Sequence, residues 1–154
     1  MLLLLLLLAG CPAACCVAYM AARPWEQAAA LGNGNSMSAL GRLYAHGRGA
    51  KKDSKKALQL WQKAAAMGVP DAHADLANAY REGDGVKKDW PRAVEHFLKA
   101  AKLGYAQAQF EVGRMHELGT AVDLGVSQDL TKAYEWFFKA AAQAHTCTKG
   151  GGVH

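Results

Sequence analysis

The side chains able to do chemistry in this 154-residue chain are few in kind and regular in place. The histidines are His46, His73, His96, His116, His145 and His154, and none stands four residues from a carboxylate or cysteine in a metal-ligand spacing. The nearest approach, His145-x-Cys147, lies close to the chain end. No metal or cofactor site is expected. The serines lack the strained Gly-x-Ser-x-Gly elbow that exposes a nucleophile. The pairs Gly47-x-Gly49 and Gly83-x-Gly85 follow predicted helices rather than strands, so they read as turn glycines and not as a phosphate cradle. Asp53, Asp89 and Asp129 each precede a predicted helix and read as its N-cap, not as catalytic carboxylates. No enzyme is expected. Two basic pairs remain, Lys51-Lys52 and Lys87-Lys88, with Lys55 and Lys56 close to the first. They read as one basic edge, suited to an acidic protein or anionic headgroups, or simply as solvated turns. The net charge of +5 is too small and too scattered to point to nucleic acid.

The two lysine pairs are 36 residues apart, and so is much else. Tyr44 recurs as Tyr80, Gly47 as Gly83, Asp53 as Asp89, Ala57 as Ala93, Trp61 as Phe97, Ala64-Ala65 as Ala100-Ala101, and Gly68 as Gly104. A third copy opens in register with Val112, Gly113 and Gly119. It carries four extra residues before the match resumes at Asp129, Ala133, Phe137, Ala140 and Ala141. Trp25, Ala28, Ala29 and Gly32 supply half a copy in front. A fixed period of this length marks stacked units that cannot bury their apolar faces alone.

Each unit reads as a helix pair. Ser36, Leu40, Leu43 and Tyr44 share one face of a first helix predicted from Ser36 to His46. Gly41, replaced by Ala77 and Gly113 in the other copies, lets the partner helix approach closely. Gly47 supplies the positive φ of a C-cap. In the second helix Ala57, Leu58, Trp61, Ala64 and Ala65 make an apolar stripe of small residues around one aromatic. On the opposite face Glu95 and Lys99, and Glu135 and Lys139, are spaced for ion pairs. His116 reads as a stand-in for the tyrosine of the first helix, with a satisfied ring nitrogen. No polar capping helix follows the last pair, so its apolar stripe is either exposed or covered from elsewhere.

The frame Leu40-Gly41-x-Leu43-Tyr44-x-x-Gly47-x-Gly49, followed by Asp53, Lys56-Ala57, Trp61 and Lys63-Ala64-Ala65-x-x-Gly68, resembles the Sel1-like repeat family, a relative of the tetratricopeptide repeats. The resemblance covers about residues 20 to 145. It implies an all-α fold, a right-handed α-solenoid of about three and a half repeats. It also implies a protein–protein interaction scaffold or adaptor, taking a peptide or partner protein on the concave side lined by the first helices. The outward positions there are Arg42, Asp75, Asn78, Glu111 and Arg114, of which Arg42, Asn78 and Arg114 are equivalent by register. The rivals are a cell-envelope enzyme, by analogy with family members assigned penicillin binding or β-lactamase activity, and a fragment of a larger repeat array.

The expected organisation is an apolar leader over 1–22, a half repeat over 23–34, repeats over 35–70, 71–106 and 107–145, and a disordered tail over 146–154. The leader has no charged side chain and holds the leucine run Leu2 to Leu8. It reads as a secretory signal, as a lipoprotein leader ending at Leu8-Ala9-Gly10-Cys11, as a membrane anchor kinked at Pro12, or as a mis-called start. The first three favour a secretory, extracytoplasmic or membrane-associated location. Cys11, Cys15 and Cys16 lie in or beside the leader and Cys147 in the tail, so residues 17–146 hold no cysteine. Some secreted members of the family staple each helix pair with a disulfide; this chain does not support that type, nor the penicillin-binding function attached to it.

Overall fold

The computed structural model describes the backbone of residues 25–48, 50–124 and 126–148, and the side chains of these up to residue 143. The expected leader, Gly49, the side chain of Cys147 and the last six residues of the expected tail lie outside the described residues.

A helical segment over residues 25–30 leads into α1 (Gly34–His46), α2 (Ser54–Ala66), α3 (Pro70–Glu82), α4 (Trp90–Lys102), α5 (Ala106–Leu118) and α6 (Leu130–Thr148). Within each repeat the two helices pair, and each second helix then packs on the first helix of the next repeat, while α1 also touches α3. This is an α-solenoid. Its one piece of strand-like pairing among the described residues is the isolated bridge Ala121–Val126, which pins the four-residue insertion around a short 3-10 turn, Val122–Leu124.

Local chemistry sets the helix ends. Asp53, Asp89 and Asp129 accept from the backbone N–H of Lys56, Arg92 and Lys132 at 3.0, 3.1 and 3.1 Å, so each satisfies a donor left open by the first turn. The first helices stop at Gly47, Gly83 and Gly119, with φ of 68°, 79° and 64°, a region that a Cβ disfavours. The turn that follows is closed by the same backbone bond in all three repeats. Asp53 N–H donates to the Tyr44 carbonyl at 2.9 Å, Asp89 to Tyr80 at 3.0 Å, and Asp129 to His116 at 2.9 Å.

Two boundaries differ from the sequence-based expectation. α1 begins at Gly34, two residues before Ser36, because the Asn33 side chain accepts from Ser36 N–H at 3.2 Å and caps the helix earlier. Ser36 is consequently buried on the helix face. At the other end α6 continues to Thr148, past the point where a helical pattern was expected to stop.

The core is a run of small residues wrapped around rings. One cluster centres on Leu40, Trp61, Ala64, Ala72 and Leu76, the other on Ala77, Val94, Phe97, Ala108 and Val112. The absence of a Cβ at Gly41 has a specific consequence: a methyl there would run into the Trp61 ring, 2.7 Å from Cδ1. Trp61 in turn donates Nε1–H to the Ser38 carbonyl at 3.2 Å, bonding the two helices where they approach. In the second repeat the smaller Phe97 faces the fully buried Ala77. His116 fills the tyrosine position as anticipated: it is buried, and its Nδ1 lies 2.9 Å from the Ser127 carbonyl. Of the two expected outer ion pairs, Lys99–Glu95 forms at 2.6 Å. Lys139 instead lies over the Trp136 ring, 4.5 Å from its centroid.

Candidate functional site

The first helices α1, α3 and α5 line up their polar side chains across repeat boundaries. Arg42 on α1 reaches α3 on two sides. Its Nε donates to the Asp75 carboxylate at 2.8 and 3.1 Å, and its Nη2 to Asp71 at 2.9 Å. Ser38, one turn earlier on α1, donates to the same Asp75 at 3.1 Å. Asp75 is the most enclosed charged member of the network, with 16% of its side chain exposed. Burial therefore raises its carboxyl above the ordinary value, against the pull of Arg42 and the Ser38 hydroxyl. Burial also works against the charge on Arg42, but the Asp75 and Asp71 carboxylates outweigh it and hold the guanidinium proton more tightly than usual. Tyr105, beside this network, has its hydroxyl pushed up by burial and then by Asp71.

Further along, Glu111 on α5 faces two arginines. Arg81 of α3 is 3.7 Å away and Arg114 of α5 is 3.6 Å away. Between the two networks lies a polar cleft of about 260 Å³, lined by Arg42, Asp75, Asn78, Tyr105, Gln107 and Glu111 among others. Four of the residues singled out from sequence, Arg42, Asp75, Asn78 and Glu111, thus border one cavity, and Arg114 joins it through Glu111. The expected column of Arg42, Asn78 and Arg114 is not a row of free donors, however. Arg42 is committed to two aspartates, whereas Arg114, 49% exposed, is held only loosely by Glu111.

Sequence reasoning missed Ser38, Asp71, Arg81, Tyr105 and Gln107. The available signal was arithmetic. Arg42 and Asp71 are 29 residues apart, Arg42 and Asp75 are 33, and Arg81 and Glu111 are 30. Each is a repeat period shortened by one or two helical turns, which places the pair side by side on adjacent first helices.

The basic edge lies on exposed turns. Lys51, Lys52, Lys87 and Lys88 are all exposed. Lys52 lies 3.8 Å from Asp84, in the turn that packs on the start of α2 through Ser54 Oγ–H donating to Asp84 at 2.7 Å. Two histidines that sequence spacing left apart do meet. His73 of α3 and His96 of α4 bring their Nδ1 atoms within 3.0 Å, and Tyr80 stacks on the His96 ring. Among the described residues no group of three or more metal-ligating side chains gathers, and no helix is long and apolar enough to cross a membrane.

Comparisons with known proteins bear on this arrangement. Residues 34–69, 70–105 and 106–145 each match the model of the Sel1 repeat, each starting one residue ahead of the expected copy. A Sel1 repeat protein from Oxalobacter formigenes, known from its crystal structure, superposes with a TM-score of 0.66 at 30% identity, over 71% of this chain and 42% of its own. A second crystal structure is of c5321, described as a protective antigen present in uropathogenic Escherichia coli strains and displaying an SLR fold. It superposes with a TM-score of 0.67 at 32% identity, over 81% of this chain and 26% of its own. The chain therefore spans less than half the length of either. A search of curated proteins found no match.

Proposed function

The chain belongs to the Sel1 repeat family, whose repeats generally build protein-interaction scaffolds, and we propose that it binds a peptide or a partner protein along the face of α1, α3 and α5. The observation that carries this reading is the cleft between the Arg42–Asp75 and Arg81–Glu111–Arg114 networks. Stacking already uses the apolar stripe of every repeat up to α5. Asn78 and Gln107, which stacking does not use, and Glu111 and Arg114, paired with Arg81 and with each other, offer both donors and acceptors along this face. That is what an extended backbone needs for recognition. The Arg42 network serves this face as its rigid wall. It ties the first repeat to the second and keeps the cleft from closing on itself.

The same reading places the protein as an adaptor. The apolar sequence over 1–22 would bring it to a membrane or through one, and the lysine edge would lie beside anionic headgroups or an acidic partner. Nucleic acid is not among the proposed partners, and no catalytic step is assigned. The test is quantitative co-purification of tagged full-length protein from its native cell, wild type against Arg114→Glu and Asn78→Leu. Both substitutions fall on exposed or half-exposed positions, so the fold is expected to stand. A partner depleted at least about tenfold by either change supports the proposal. A partner retained at wild-type level by both would contradict it.

A further inference from the structure

The face at the far side of the third repeat carries a second inference; it meets the cleft at Gln107, which lines both. Ala106 and Phe110 of α5 and Phe137, Ala140 and Ala141 of α6 line an open apolar groove of about 500 Å³. Its residues have counterparts in the other repeats, and the contrast in burial is sharp. Phe110 is 49% exposed, whereas Ser38 and Ala74 at the same register are 2% and 4% exposed. Ala141 is exposed, whereas Ala65 and Ala101 are 8% and 1% exposed. A second stripe runs beside the groove along α6. Leu130, Tyr134 and Phe138 are 59%, 74% and 77% exposed, yet Val94, the counterpart of Tyr134, is 1% exposed.

What covers the counterparts is visible twice in this chain. On α2 it is α3, through Val69, Ala72 and Leu76 against Trp61, Ala64 and Ala65. On α4 it is α5, through Ala108 and Val112 against Phe97, Ala100 and Ala101. The turn after α5 then covers the second stripe, with Ala121 and Val126 in the same cluster as Val94, and Trp90 Nε1–H donating to the Thr120 carbonyl at 3.4 Å. A polar bond accompanies each docking. Gln109 of α5 donates Nε2–H to the Ala101 carbonyl at 3.2 Å, and His73, at the same register on α3, bonds the Ala65 carbonyl.

We infer that the α5–α6 face is a docking site for an α-helix and its following turn presented by another protein, a helix of the kind this chain uses for α3 and α5. Its chemistry follows from the register. It carries a small residue and an aliphatic residue four positions beyond, as in Ala108 with Val112; the bond that Gln109 makes to Ala101 has no counterpart, because α6 runs on to Thr148 and Ala141 stands inside it. A second copy of this chain has no such helix to offer. Its α3 and α5 are already seated on α2 and α4, and its α1 is held by the 25–30 segment, with Ala29 in the core beside Leu40 and the Tyr44 hydroxyl donating to Glu26 at 3.2 Å. The element that fits is one that a second copy, folded as here, does not present.

The test uses the full-length protein and, as probe, a fluorescein-labelled synthetic peptide with the sequence of residues 104–127, the element that covers the equivalent face of α4. Isolated helices of this length are marginal in water. A second form is therefore closed by a lactam between residues introduced as Phe110→Glu and Arg114→Lys, both half-exposed in this chain. Saturable binding by anisotropy, tighter for the closed form and weakened at least about tenfold by Ala141→Glu in the protein or Val112→Asp in the peptide, is the expected result. The inference is overturned if neither form binds, if Ala141→Glu leaves binding unchanged, or if the full-length protein forms a dimer that Phe138→Ser disperses. The last result would make a second copy the occupant.

Discussion

Replacing Gly41 by alanine should destabilise the protein, although alanine is the better helix former. At an ordinary interior helix site Gly→Ala is worth about 1 kcal/mol in favour of the folded state. Here the added methyl meets the Trp61 ring, with Cδ1 2.7 Å from where it would sit. Trp61 is 7% exposed and bonded to the Ser38 carbonyl, so it has nowhere to move without losing that bond. Overpacking of this kind costs about 1–3 kcal/mol, and the lost indole bond about 1 kcal/mol more. After the propensity gain the net effect is a loss of about 1–3 kcal/mol. Gly113→Ala is the internal control. Its methyl would lie 2.6 Å from the edge of Phe137, but that ring borders the open groove and can swing into it. The change there should fall within about 0.5 kcal/mol of neutral or be stabilising. A third variant repeats the pairing of the second repeat, where Ala77 faces Phe97. Trp61→Phe in the Gly41→Ala background should recover part of the loss, with a coupling of at least about 1 kcal/mol in the double-mutant cycle. Urea unfolding with an unchanged slope reads all five proteins, the single Trp61→Phe included. Equal effects at Gly41 and Gly113, or no coupling with Trp61→Phe, would refute the reasoning.

Three further outcomes follow from the same contacts. Arg42→Ala leaves Asp75 of α3 against α1 without its ion pair and should cost about 1–3 kcal/mol in urea unfolding, less than for a fully buried pair because Arg42 is 40% exposed, whereas Asp75→Asn in the same background should recover part of it. Burial, with repulsion from Lys99 and, for His96, from His73, holds His73 and His96 below the ordinary histidine value of 6.5. A depressed folded-state value contributes stability that is complete above pH 6.5 and is lost as the pH falls below it. The urea midpoint should therefore drop between about pH 7.5 and pH 5.5, and drop less in His73→Gln, which keeps a donor for the Ala65 carbonyl as Gln109 does for Ala101. Asp89→Ala, which removes the cap bond to Arg92 N–H, should cost about 1 kcal/mol by the same assay.

Much of this architecture was legible from the residues, and for a physical reason. The 36-residue period repeats the glycines that need positive φ, the aspartates that cap and the alanines that allow close approach, and each of those roles is local to a few residues. What stayed hidden depends on neighbours across repeats. Outward positions such as Arg42 and Asn78 were identified by register, but the fate of Arg42 was set by Asp71 and Asp75 on the next helix. His73 and His96 meet because antiparallel pairing brings opposite ends of two helices together, and a separation of 23 residues carries no local signature. The expected start of α1 rested on the apolar period, which begins at Ser36, whereas the observed start is set by the Asn33 cap outside that period.

The central claim, that partners are bound along α1, α3 and α5, is tested most directly by placing a photo-crosslinking amino acid in the native cell. The positions are Asn78, Gln107 and, on the exposed outer side of α2, Lys63. The account expects the same partner to be captured from Asn78 and from Gln107, and not from Lys63. Capture of that partner from Lys63 alone, or from all three positions equally, would contradict it.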